Sequence, residues 1–103
     1  MKLHWTRKLA FTIGIEESAE KHGAFWLIDA IASHQICPHV TAEGFQVWKL
    51  AVTGNAAILT MTDGNSDTAI VTQQIKFTDF PVPGTEWWCV EGEVRTLMLP
   101  DEY

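Results

Sequence analysis

Positive charge is scarce in this chain. Seven Lys and Arg stand against thirteen Asp and Glu, giving a formal net charge of -6 at pH 7. Binding to a nucleic-acid backbone runs on cations that neutralise phosphates, so this balance argues against direct nucleic-acid binding. It leaves room for an acidic surface that docks on a basic partner. The few cations are also uneven: Lys2, Arg7 and Lys8 lie near the start, in a stretch without acids that reads as a solvated edge.

Cysteine is scarcer still. Cys37 and Cys89 allow one bridge at most, which excludes a disulfide framework. No apolar run approaches the ~20 residues of a membrane-spanning helix. The start lacks the apolar stretch of a secretory signal. The expectation is a cytoplasmic protein with no membrane contact. The seven glycines are scattered at turns and helix ends, so no pattern cradles a phosphate, and no serine nucleophile motif is present. No cofactor is expected.

What remains is ample for one core. The chain has 103 residues, 47% of them hydrophobic and 19% charged, which suits a single folded domain over 1–103. Leu3, Trp5, Leu9 and Phe11 recur at odd positions, with Arg7 breaking the set, and this alternation suggests an N-terminal strand. Thr12 is a plausible helix N-cap, Glu16 and Glu17 suit the positive end, Lys21 and His22 suit the negative end, and Gly23 can close the helix in the left-handed conformation. A helix over about 13–22 follows. The next stretch, 24–36, is apolar on nearly every side, which reads as a buried helix stopped ahead of Pro38.

From residue 45 the period changes to that of strands: 45–53, a Gly54-Asn55 turn, 57–62, a turn over 63–67, and 69–80. After Pro81, Pro83 and Gly84, residues 86–90 and 94–99 form a hairpin about Glu91-Gly92. Helices first and a strand meander second argue for an α+β fold, two N-terminal helices covering one face of an antiparallel sheet of four to six strands.

Three blocks, His22 to Ser33 (HGAFWLIDAIAS), Phe77 to Pro81 (FTDFP) and Leu99 to Tyr103 (LPDEY), resemble a family of small bacterial and phage proteins known only as a domain of unknown function. The strand from Phe45 to Leu50 fits the same pattern, and the resemblance covers most of 9–103. It implies a bacterial, phage or mobile-element origin and carries no catalytic residue with it.

Asp29 is the oddest residue, a carboxylate inside an apolar helix with Ser33 one turn on. A buried carboxylate needs a partner. The structural reading is an acid that hydrogen-bonds backbone in a neighbouring loop. The functional reading is a pocket at the helix–sheet junction using Asp29 with Ser33 or His34. His22, His34, His39 and Cys37 lack metal-ligand spacing, so no metal is expected. Asp63 to Asp67 opens like a calcium loop but has Thr68 where glycine is needed and Gln74 where a bidentate Glu is needed. The cysteines read as structural.

Trp87 and Trp88 are adjacent in a strand, so they point to opposite faces, and one of them is expected away from the main core as an interface anchor. Two functional readings stay open. The first is a non-enzymatic interaction module that binds a protein partner or itself through the hairpin around Trp87 and Trp88. Small acidic proteins that block basic sites on host factors offer an analogy for it. The second is a small-ligand binder or enzyme at the Asp29 pocket.

Overall fold

A computed structural model describes residues 1–76, 78 and 84–103. Phe77, Asp79, Phe80, Pro81 and Pro83, on which part of the sequence reading rests, lie outside the described residues.

The helices follow the caps. α1 spans Ile13–His22; the Ile15 amide donates to the Thr12 hydroxyl, and Gly23 closes the end at φ 61 with its amide on the carbonyls of Ala19 and Glu20. α2 spans Phe25–His34. Pro38 does more than stop it. Proline fits the first turn of a helix, where no amide donor is needed, and α3 (Pro38–Thr41) begins there.

Among the described residues seven strands form one sheet: β1 (Lys2–Leu3), β2 (Ala10–Phe11), β3 (Phe45–Thr53), β4 (Ala56–Thr62), β5 (Val71–Ile75), β6 (Gly84–Val90) and β7 (Thr96–Met98), in the order β1-β2-β7-β6-β3-β4-β5. The α+β class holds, with two corrections. The strands number seven, above the expected four to six, and the sheet is mixed, because β2 runs parallel to β7. The N-terminal strand is split as well. Arg7 donates to the His4 carbonyl at 2.8 Å, closing a turn that separates β1 from β2.

Register places the core. Trp48 stands opposite Met61 on one side and Trp87 on the other, and Cys89 stands opposite Leu97. Paired residues share a face. These residues form one buried cluster with Ile15 and Ala19 of α1 and Leu27, Ile28, Ile31 and Ala32 of α2. The helices therefore cover one face of the sheet. Deep in that layer, Gln46 accepts from the Trp48 indole at 2.9 Å and bonds to Gln35, the residue that caps the end of α2.

The opposite face carries a smaller aromatic group. Phe45, Trp88 and Tyr103 have ring centroids 5.1–5.5 Å apart. Gly64, at φ 86, lies so close that a Cβ there would sit 3.0 Å from the Phe45 ring. Glycine suits that turn on both counts. Asp63 caps the same turn, accepting from the amides of Asn65 and Ser66 at 2.9 and 3.0 Å.

The chain ends meet at the start of α1. Glu102, in a short 3-10 turn (Pro100–Glu102), accepts from the Thr12 hydroxyl at 2.7 Å and the Leu99 amide at 2.8 Å. A carboxylate there also suits the positive end of the helix dipole.

Candidate functional site

Asp29 is not buried. α2 leaves an exposed stripe of Phe25, Asp29 and Ser33, one helical turn apart, and the Asp29 side chain is 54% exposed. This corrects the reading of a helix apolar and buried on every side. The stripe reaches the turn between β1 and β2, and there Asp29 finds its partners.

His4 is one of them. Its side chain is only 4% exposed, and Nε2 lies 2.6 Å from Asp29 Oδ1. The other ring nitrogen fixes the tautomer. The Thr6 amide can only donate, and it points at Nδ1 from 3.2 Å, so Nδ1 accepts and Nε2 carries the proton that faces Asp29. The Thr6 hydroxyl adds a 2.7 Å bond to Nδ1. The partner of Asp29 is thus a buried imidazole, where a loop backbone was expected.

Trp5 is the second partner. Its indole Nε1 donates to the same Asp29 oxygen at 3.2 Å, while the residue is 79% exposed. Its ring leans on that of His4, with centroids 5.4 Å apart. The tryptophan is therefore tethered at one atom and open to solvent over most of its surface. The turn holding it stands in an unusual conformation, with Arg7 at φ 63.

These groups border a hollow of about 340 Å³ between the N-terminal hairpin and α2, lined by Lys2, Leu3, His4, Trp5, Phe11, Phe25, Ile28 and Asp29. Leu3 and Phe25 are exposed beside it. The Lys2 ammonium is held by Glu16 at 2.6 Å. A larger hollow of about 420 Å³ opens near Ala51, Ile58 and Gln74; among the described residues Lys76 is the one titratable group lining it, whereas His4, Asp29 and Lys2 line the smaller one.

The carboxylate, imidazole and hydroxyl of Asp29, His4 and Thr6 form a chain of the kind that activates nucleophiles. Thr6 does not line the hollow, and its own amide occupies the same imidazole nitrogen. The chain ties a turn to a helix; it aims no hydroxyl at a cavity.

The other expected site residues separate. Ser33 turns back on its own helix, donating to the Ala30 carbonyl at 2.6 Å. His34 faces the sheet, with Nε2 2.7 Å from Gln73 Oε1 and its ring against Trp48. Trp87, named as an interface residue, is 1% exposed and packs in the main core. Its neighbour Trp88 takes the outer face, where its indole donates to Glu86 at 2.7 Å. Burial pushes the Cys89 thiol up to about 12, with Arg95 acting weakly the other way. No three His, Cys, Asp or Glu converge on a common point among the described residues. No helix there is long and apolar enough to cross a membrane.

His4 and Trp5 escaped the sequence reading. The signal for them was indirect: an acid on an apolar helix requires a donor, and the donors come from a segment read as a regular strand.

A family model described as "Family of unknown function (DUF6876)" matches residues 1–103. No curated protein and no solved structure matches the chain.

Proposed function

For a chain that belongs to DUF6876, a family of unknown function, we propose a non-enzymatic role: a protein-interaction module whose contact surface is the N-terminal hairpin and the exposed stripe of α2. The carrying observation is Trp5, 79% exposed yet hydrogen-bonded to Asp29. A large ring presented to solvent and already oriented loses little freedom when a partner covers it. Tryptophan is the residue type most enriched at binding hot spots. Leu3 and Phe25 extend the same exposed apolar surface.

The surface differs from the one expected at the Trp87–Trp88 hairpin. Trp87 is inaccessible, and Trp88 is already engaged by Phe45 and Tyr103. The partner is another protein; the acid this surface offers it is Asp29, beside the basic residues Lys2, Arg7 and Lys8 of the hairpin.

The test is capture of a partner by wild-type protein, Trp5→Ala and Trp88→Ala, each shown to be folded by circular dichroism. Stoichiometric capture that Trp5→Ala loses, Trp88→Ala keeps and high salt weakens is the expected result. Capture that survives Trp5→Ala and fails with Trp88→Ala would move the interface to the outer sheet face and sink this reading.

A further inference from the structure

We propose that the hollow beside Asp29 is a guanidinium site, taking an arginine side chain of a partner; this rests on the interaction reading above and names the chemistry of the contact.

The geometry of one carboxylate carries it. Both donors that reach Asp29, His4 Nε2 at 2.6 Å and Trp5 Nε1 at 3.2 Å, bond to Oδ1. Among the described residues nothing bonds to Oδ2. A half-exposed carboxylate is thus pinned by one oxygen and offers the other at the edge of a hollow.

The walls suit a cation. Trp5, Phe11 and Phe25 contribute aromatic rings, and Leu3 and Ile28 contribute apolar surface that an alkyl stem can cover. Ring faces attract cations through their quadrupole, and guanidinium groups stack on them readily because they are weakly hydrated and planar. Among the described residues lining the hollow, Lys2 is the one Lys or Arg. Lys2 is paired with Glu16 at 2.6 Å. At about 340 Å³ the hollow accommodates one side chain, at the low end of the ~300–1,000 Å³ range of ligand pockets.

The experiment uses the full chain and three small probes: N-butylguanidinium, n-butylammonium and the neutral isostere N-butylurea. The readout is the indole N–H resonance of Trp5 by NMR, assigned from its loss in Trp5→Phe. A saturable shift with butylguanidinium, a weaker response to butylammonium and none to butylurea is the expected result. Asp29→Asn should weaken guanidinium binding by about tenfold or more, as loss of a charged hydrogen-bond acceptor does. That variant should fold, since its amide oxygen still accepts from His4 and Trp5.

A shift with butylurea matching that with butylguanidinium would overturn the site, because charge would then play no part. Equal affinity for butylammonium would overturn the assignment to guanidinium. The urea comparison needs only the wild-type chain, so it stands whatever Asp29→Asn does to folding. Failure of all three probes with Trp5-dependent capture intact would sink the guanidinium site alone. Loss of Trp5 dependence in the capture experiment would sink the interaction reading beneath it.

Discussion

Gln35 and Gln46 exchange two hydrogen bonds in the buried layer between α2 and β3, 2.9 Å from Gln35 Nε2 to Gln46 Oε1 and 3.1 Å in return. Gln46 is fully buried and also serves the Trp48 indole and the Val40 carbonyl. Removing one side leaves several groups without partners. Gln46→Leu should therefore cost about 2–4 kcal/mol, read by urea denaturation. The double variant with Gln35→Leu should fall well short of the summed single effects, because the amide stranded by the first change is removed by the second.

A second pair links the ends of the chain. A Cβ at Gly14 would lie 2.7 Å from Glu102 Oε2. Alanine inside a helix is favoured over glycine by about 1 kcal/mol. Gly14→Ala should realise that gain in a Glu102→Ala background. In the wild-type background the displaced carboxylate should cancel it. A thermal-denaturation cycle over the four proteins reads the difference.

The two thiols should differ in reactivity. Cys37 is partly exposed and Cys89 buried, with the latter's thiol pushed up to about 12 from 9.0. A thiol reagent should modify Cys37 in the native protein and Cys89 only on unfolding. The linkage has a definite sign. Between pH 9 and 12 the unfolded chain loses the Cys89 proton while the folded chain keeps it, so stability contributed by this group is full below about 9 and falls as pH rises toward about 12. Cys89→Val should flatten that alkaline decline.

Arg7 occupies the left-handed region at φ 63, where a side chain is disfavoured. Arg7→Gly should raise stability by up to about 1 kcal/mol, measured as a shift in the denaturation midpoint. The gain is bounded because glycine also gives the unfolded chain more freedom.

Local chemistry was legible where it acts locally. Thr12 and Gly23 bracket α1 because caps are read from a few neighbouring residues. The alternation over β3 gave its bounds, since Gln46, Trp48 and Leu50 face one way and Lys49 the other. Tertiary choices were not legible. Alternation put Trp87 and Trp88 on opposite faces, but only pairing with Trp48 decided which ring entered the core. The apolar set of Leu3, Trp5, Leu9 and Phe11 broke at the turn from His4 to Arg7. That turn buried Leu9 and Phe11 and left Leu3 and Trp5 in solvent. The donor for Asp29 lies 25 residues away at His4, beyond the reach of helical spacing.

The parallel contact between β2 and β7 bears on how the protein is made. Residues near the start of the chain, together with both long helices, emerge early from a ribosome. Yet among the described residues β2 has β7 as its only neighbour besides β1, and the Thr12 amide donates to the Leu97 carbonyl at 3.1 Å. Until residues 96–98 are synthesised, the apolar faces of α1 and α2 have no completed sheet to rest on. Closure of this core thus waits on a contact between segments some 86 residues apart, Ala10 with Thr96, and such long-range pairing slows folding.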